Sequence, residues 1–155
     1  MILFYLILSH LLSDFILQPT SLVVWKIKSK IGTFAHTLIH TVIGLIILSP
    51  FLINGYFQLI YVVLGINVMH FWIDEAKINY ALKHDNKVKP FIIDQLLHLI
   101  IIVIAFLFVR NVSFDLAKTP FYQIYTNPKI VVLTLFLVIT VIAMGILRFY
   151  RKKRT

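Results

Sequence analysis

The sequence predicts an all-α integral membrane protein of five transmembrane helices. The first four are expected to form a parallel repeat of two helical hairpins around a polar, metal-binding core. Three observations carry this prediction. The 155 residues are 60% hydrophobic and only 14% Asp, Glu, Lys and Arg, against about 25% of those charged types in soluble domains. Five apolar segments approach the length needed to cross a bilayer. Inside four of them, His and Asp recur in pairs spaced four residues apart.

A helix needs about 20 apolar residues to cross a hydrocarbon core of roughly 30 Å. The segments run from residue 1 to about 17, 32 to about 53, 56 to about 77 (extending towards 82), 91 to 109 and 130 to 147. Such lengths suit helices rather than buried strands. The first segment has no basic leader or small-residue cleavage site and carries His10 and Asp14, so it is expected to be a retained span. The chain divides into a four-helix core over 1–109, an extracytoplasmic aromatic loop over 110–128, and a fifth helix with a basic cytoplasmic tail over 129–155. The absence of Cys excludes disulfides, thiolate ligands and a Cys nucleophile.

Basic residues set the orientation. The first connection holds Lys26, Lys28 and Lys30, and the third Lys77, Lys83, Lys87 and Lys89. The tail holds Arg148, Arg151, Lys152, Lys153 and Arg154, whereas the fourth connection has Arg110, Lys118 and Lys129. Twelve of the 15 basic residues thus fall on one side. The N-terminus is expected outside and the C-terminus in the cytoplasm of a bacterial inner membrane. The net charge of +9 is read as topology signal and attraction to anionic headgroups, with no nucleic-acid partner.

Ionisable groups inside membrane helices are costly and usually functional. Span one has His10 and Asp14, span two His36 and His40, span three His70 and Asp74, and span four Asp94 and His98. A spacing of four places both members on one helix face. With the orientation above, all eight lie in the cytoplasmic half of the membrane. The order His-x3-Asp, His-x3-His, His-x3-Asp, Asp-x3-His suggests two hairpins related by an axis along the membrane normal. His84, Asp85 and Asp115 fall outside the spans.

Imidazole and carboxylate together are ligands of Zn, Mn and Fe. All eight residues are candidate metal ligands, for one or two divalent ions, with Zn first and Mn or Fe as alternatives. Three buried Asp would cost about 2.5–3.5 kcal/mol each at helix centres. A structural zinc returns about 10–16 kcal/mol. The competing reading is a metal-free polar network, in which each interhelical contact contributes about 0.6 kcal/mol.

Further polar residues extend these faces. Gln18 follows Asp14 by four, Asn67 precedes His70 by three, and Gln95 adjoins Asp94; these are candidates for holding a cofactor or its ligands. Lys77 follows Asp74 by three and is expected either to hold an anionic group or to snorkel to the interface. Asp14, Asp74, Asp94 and Lys77 are the candidate catalytic residues. Ser9, Ser13, Thr37 and Thr41 are expected to bond back within their helices. Residues 22–30 read as a surface segment, and 75–89 as an interfacial extension of span three or a lid. Phe114, Phe121, Tyr122 and Tyr125 read as an aromatic belt. No Walker or Rossmann loop and no nucleophile elbow is present.

The runs His10-Leu-Leu-Ser-Asp14-Phe-Ile-Leu-Gln18, His36-Thr-Leu-Ile-His40, His70-Phe-Trp-Ile-Asp74 and Asp94-Gln-Leu-Leu-His98 resemble a bacterial family of small polytopic membrane proteins known as a domain of unknown function. The resemblance covers about residues 4–105. More distantly, the His-x3-Asp helices are similar to a group of membrane-bound metal-dependent hydrolases that has been compared with all-helical zinc phospholipases. That similarity implies hydrolysis of a phosphoester.

The expected function is therefore a metal-dependent hydrolase at the cytoplasmic leaflet, acting on a lipid or isoprenoid phosphoester. The bilayer is the expected partner, with a lipid as substrate and a homo-oligomer as a compatible state. The alternatives are a divalent-metal transporter or channel, a di-iron membrane oxidase, and a structural membrane protein with a bound ion. Transport needs polar groups along a whole path, yet the outer halves of spans two and four are nearly all Ile, Leu, Val and Phe. The sequence also has no His-His pair of the kind expected in membrane oxidases.

Overall fold

Two short interruptions shape the N-terminal third of the computed structural model, which describes residues 1–84, 88–113, 116 and 122–152. Helix α1 (Ile2–Leu11) passes directly into a π-helical turn over Leu12–Ile16. Pro19, which has no N–H to donate and cannot continue a helix, then starts α2 (Thr20–Lys28). The α2 axis is turned by 90° from the first helix. Ser29 adopts an extended conformation and its Oγ accepts from the Ile31 N–H at 3.2 Å, which caps α3 (Lys30–Ile53). At the far end, the Asn54 amide donates to the Pro50 carbonyl at 2.7 Å. Gly55 at φ 90° makes the turn into α4, a backbone region that favours glycine.

Helix α4 (Gln58–Lys83) and α5 (Val88–Leu107) complete a ring in which α1 packs on α3 and α5, α3 on α4, and α4 on α5. Helix α2 lies against α3. A short α6 (Tyr122–Thr126) leads into α7 (Pro128–Lys152), which packs on α1. Asp85, Lys87, Phe114, Asp115, Lys118, Phe121, Lys153 and Arg154 lie outside the described residues, as do the side chains of Arg148, Arg151 and Lys152.

The polarity of the bundle is inverted relative to a soluble protein. On α3 the stripe Phe34, Leu38, Val42 and Ile46 is exposed, while Thr33, His36, Thr37 and His40 are buried. On α4 Trp72 is 62% exposed and Asp74 only 2%. On α5 Asp94, His98 and Ile102 line the inside, while Ile92, Leu96 and Ile100 face outward. Water would penalise that outer surface heavily at about 25 cal/mol per Å² of apolar area; hydrocarbon does not. This is an all-α membrane protein.

The described helices refine the expected spans. Helices α3, α4 and α5 are long and apolar enough to cross a membrane, and the bent pair of α1 with α2 makes a fourth if taken as one span. The described apolar stretch of α7, Pro128–Met144, is shorter. Residues 22–30, read as a surface segment, are mostly helix α2, and 75–83 continue α4 as regular helix. The two His-x3-Asp motifs also differ in backbone: Asp14 sits in the π turn, and Asp74 in uninterrupted α-helix.

The interior divides along its length. One half is apolar, with Tyr5, Leu6, Leu48, Phe51, Leu59 and Ile102 all buried in one cluster. The other half, nearer α2, holds the His and Asp side chains.

Candidate metal centre

The four-residue spacings bring their side chains to one point. Helix α1 contributes His10 and the π turn Asp14, α3 His36 and His40, α4 His70 and Asp74, and α5 Asp94 and His98. Seven of these are no more than 7% exposed, and the Asp14 side chain is 10% exposed. Five imidazole rings crowd together: His40 and His70 centroids are 4.0 Å apart, His70 and His98 4.1 Å, His36 and His40 4.6 Å, and His10 and His98 5.0 Å. A π turn takes an extra residue into one turn and so rotates the side chains beyond it about the axis. Ser13 within it bonds back to the Ser9 carbonyl at 2.9 Å. Ser9, Thr37 and Thr41 bond back as expected, to Leu6, Thr33 and Thr37.

Asp14 is the hub. Its Oδ1 lies 3.0 Å from His36 Nε2 and 2.9 Å from His40 Nε2. Its Oδ2 lies 3.7 Å from His10 Nε2 and accepts from Gln95 Nε2 at 3.3 Å. His36 is satisfied on both sides: Nε2–H donates to the carboxylate, and Nδ1 accepts from Gln18 Nε2 at 3.2 Å. Gln95 also reaches Asp94 Oδ2 at 3.1 Å. Gln18 and Gln95 thus both touch the cluster. Asn67, also buried, instead donates to Thr41 Oγ1 at 2.9 Å, a hydroxyl rather than a His or Asp of the cluster.

Two lysines change the electrostatics. Lys77, expected to hold an anion or to snorkel, turns inward and donates to Asp94 Oδ2 at 2.6 Å, with Asp74 Oδ1 3.6 Å away. By sequence, Lys26 is only one of the basic residues that mark the cytoplasmic side. In the structure it is 7% exposed and its ammonium donates to Asp74 Oδ2. The 90° turn at Pro19 carries α2 across the end of the bundle and swings Lys26 onto a residue 48 positions away. Nothing local in the sequence marks that contact. Asp74 and Asp94 therefore have ammonium partners, which offset part of the cost of burying them without a metal. Asp14 has imidazole and amide partners and, among the described residues, no lysine ion pair.

What does fit a cation is the set of unpartnered nitrogens. His10 Nε2, both ring nitrogens of His70, His98 Nε2 and Asp94 Oδ1 are buried without a hydrogen bond among the described residues. Buried polar atoms in native structures are normally paired. His98 Nδ1–H donates to the Asp94 carbonyl at 2.8 Å, which leaves a lone pair on Nε2, the arrangement used by metal-binding His. Three groups have ligand atoms all within 4.8 Å of one another: His10, Asp14, His40 and His70; His36, His70 and Asp74; and Asp74, Asp94 and His98.

His84 lies apart, its ring stacked on Tyr80 at 4.0 Å. Tyr125, expected in an aromatic belt, packs instead against Tyr5 at 5.1 Å, and its carbonyl accepts from the Tyr5 hydroxyl at 2.8 Å.

No curated protein and no solved structure matches the chain. A family model described as "Protein of unknown function (DUF3307)" matches residues 2–126, a stretch that includes every residue of the His/Asp cluster and both Lys26 and Lys77. The chain belongs to this family.

Proposed function

We propose that this protein is a membrane-embedded metal-dependent hydrolase working at the cytoplasmic leaflet on a lipid or isoprenoid phosphoester. The observation that carries the reading is the convergence of four buried imidazoles on Asp14, two of which, His10 and His70, bring an Nε2 with no hydrogen bond among the described residues. The eight residues divide naturally. His10, Asp14, His40 and His70 would hold a divalent ion, with Zn first because its ligands are N and O donors in sets of four. Asp74, Asp94 and His98 are the candidate second set, in competition with Lys26 and Lys77. His36, bonded to Asp14 and Gln18, would orient the carboxylate rather than bind the ion.

The chemistry such an ion supplies is Lewis acidity and the acidification of water. The side chains supply the rest. Asp94 Oδ1 is buried and free of hydrogen bonds among the described residues, while Lys77 fixes its other oxygen. With Lys26 and Lys77, and not a second ion, holding Asp74 and Asp94, that leaves one carboxylate oxygen to take a proton from attacking water. Gln95, between Asp14 and Asp94, holds the two carboxylates in register. We read the membrane orientation as N-terminus outside and C-terminus cytoplasmic, with α7 as a fifth span beside a core of two hairpins. Lys26 and Lys77 belong to the basic side in that reading.

The apolar half of the interior supports hydrolysis over conduction, since Leu48, Phe51 and Leu59 fill the axis at 1%, 1% and 0% exposure. A structural ion is the reading to separate, because a four-ligand set resembles closed structural sites. Elemental analysis of detergent-purified protein tests the centre. Wild type should carry Zn, Mn or Fe, and Asp14→Ala should lose it. A folded wild type that neither carries nor accepts any of the three would overturn the centre. Phosphate release from lipid phosphoesters by the loaded protein separates hydrolysis from a structural ion. Iron with oxygen consumption would indicate an oxidase, and divalent flux in liposomes a transporter.

A further inference from the structure

A cavity of about 340 Å³ opens beside the His/Asp cluster, between α2 and the C-terminal turns of α4. Its polar floor is Lys26, Asp74 and Lys77, with Gln18 at the edge. Its walls are apolar: Val23 and Ile27 from α2, Ile78 and Leu82 from α4. Resting on the hydrolase reading above, we propose that this cavity binds the phosphomonoester headgroup of a membrane lipid. The Lys26 and Lys77 ammonium groups would hold the phosphoryl oxygens, with the start of the chain between the apolar walls.

Three observations converge on it. The first is the direction of Lys26. Helix α2 runs at 90° to α1 and exposes Val24, Trp25 and Ile27, the composition of a helix lying in the membrane interface. A lysine on such a helix normally extends to water, but Lys26 points inward to the cavity floor. The second is donor capacity. An ammonium group has three N–H donors, so each lysine can hold its carboxylate and still donate to a phosphoryl oxygen. The third is charge. Asp14, Asp74 and Asp94 face two ammonium groups, and a divalent ion on the Asp14 set turns the sum positive. An anion entering beside it restores balance, whereas a neutral or cationic headgroup does not.

The shape completes the assignment. The cavity is amphiphilic, with charge at the floor and branched aliphatic walls that continue into the exposed apolar surface of α2. Free phosphate would use the floor and leave the walls without a partner. A phosphomonoester lipid uses both and presents its phosphoryl oxygens uncapped.

Trp25 provides the probe. In full-length protein carrying Trp72→Phe, Trp25 is the single remaining Trp of the two in the chain. The protein is placed in phosphatidylcholine nanodiscs and titrated with chain-brominated phosphatidic acid or, as an anionic lipid with a capped phosphate, brominated phosphatidylglycerol. Phosphatidic acid should quench Trp25 at a lower mole fraction and with saturation. Lys26→Gln and Lys77→Gln should each weaken that preference by about 10- to 100-fold, the loss of a charge-assisted hydrogen bond. Ala81→Phe, which narrows the cavity and leaves both ion pairs intact, should abolish it even if the lysine variants fail to fold. Equal quenching by both lipids, or displacement by inorganic phosphate with no preference for lipid, would overturn the site. So would a preference that survives both Lys26→Gln and Ala81→Phe, even if the protein proves to be a hydrolase. Selective quenching without turnover would uphold the site and remove hydrolysis instead.

Discussion

Thr33 shows at the scale of one residue how this interior treats polar atoms. It is 0% exposed, its carbonyl accepts from Thr37, and its own Oγ1 has no hydrogen bond among the described residues. An unmade buried hydroxyl bond costs more than an isosteric apolar group in its place. Thr33→Val should therefore be neutral or stabilising by about 1 kcal/mol, read as the midpoint of thermal unfolding in detergent. A loss of stability would mean that the hydroxyl makes a hydrogen bond inside the folded protein. The eight His and Asp positions were legible because a spacing of four is local information. Lys26 was not, because its contact with Asp74 depends on a turn of the chain and not on any pattern near residue 26.

At the scale of the element, α2 has a direction that no local pattern encodes. Alternating apolar and basic residues described its surface, but its direction is set by Pro19 at one end and the extended Ser29 at the other. The corner is tight: a Cβ on Gly32 would meet the Trp25 backbone at 2.5 Å and the Lys26 nitrogen at 2.6 Å. Backbone cannot yield as a flexible side chain can. Gly32→Ala should cost about 1–3 kcal/mol by overpacking, measured by thermal unfolding, and should displace α2 and with it Lys26. A variant as stable as wild type would show that the corner is loose. The π turn was equally hidden. Its sequence Leu-Ser-Asp-Phe-Ile contains no Pro or Gly, so nothing in it distinguishes five residues per loop from four.

For the whole molecule, the two halves of the interior make separable demands. The apolar half is tied together by Tyr5, whose ring packs on Phe51 at 5.8 Å and whose hydroxyl holds the Tyr125 carbonyl. This links α1 and α3 to α6, away from the His/Asp half. Tyr5→Phe should lower stability by about 1 kcal/mol, the net worth of one hydrogen bond, and leave metal content unchanged. A fall in metal content would show that the two halves are coupled.

The sequence by itself determined the class of environment and the identity of the cluster. Composition and segment length respond to the bilayer, and helical periodicity puts residues four apart on one face whatever lies opposite. The tertiary structure alone decided the partners. The lysines that offset Asp74 and Asp94, the carboxylate that gathers the imidazoles, and the nitrogens left unpaired all depend on how separate helices meet. That follows from the turn at Pro19 and the order of packing around the ring, which act over distances no local spacing encodes.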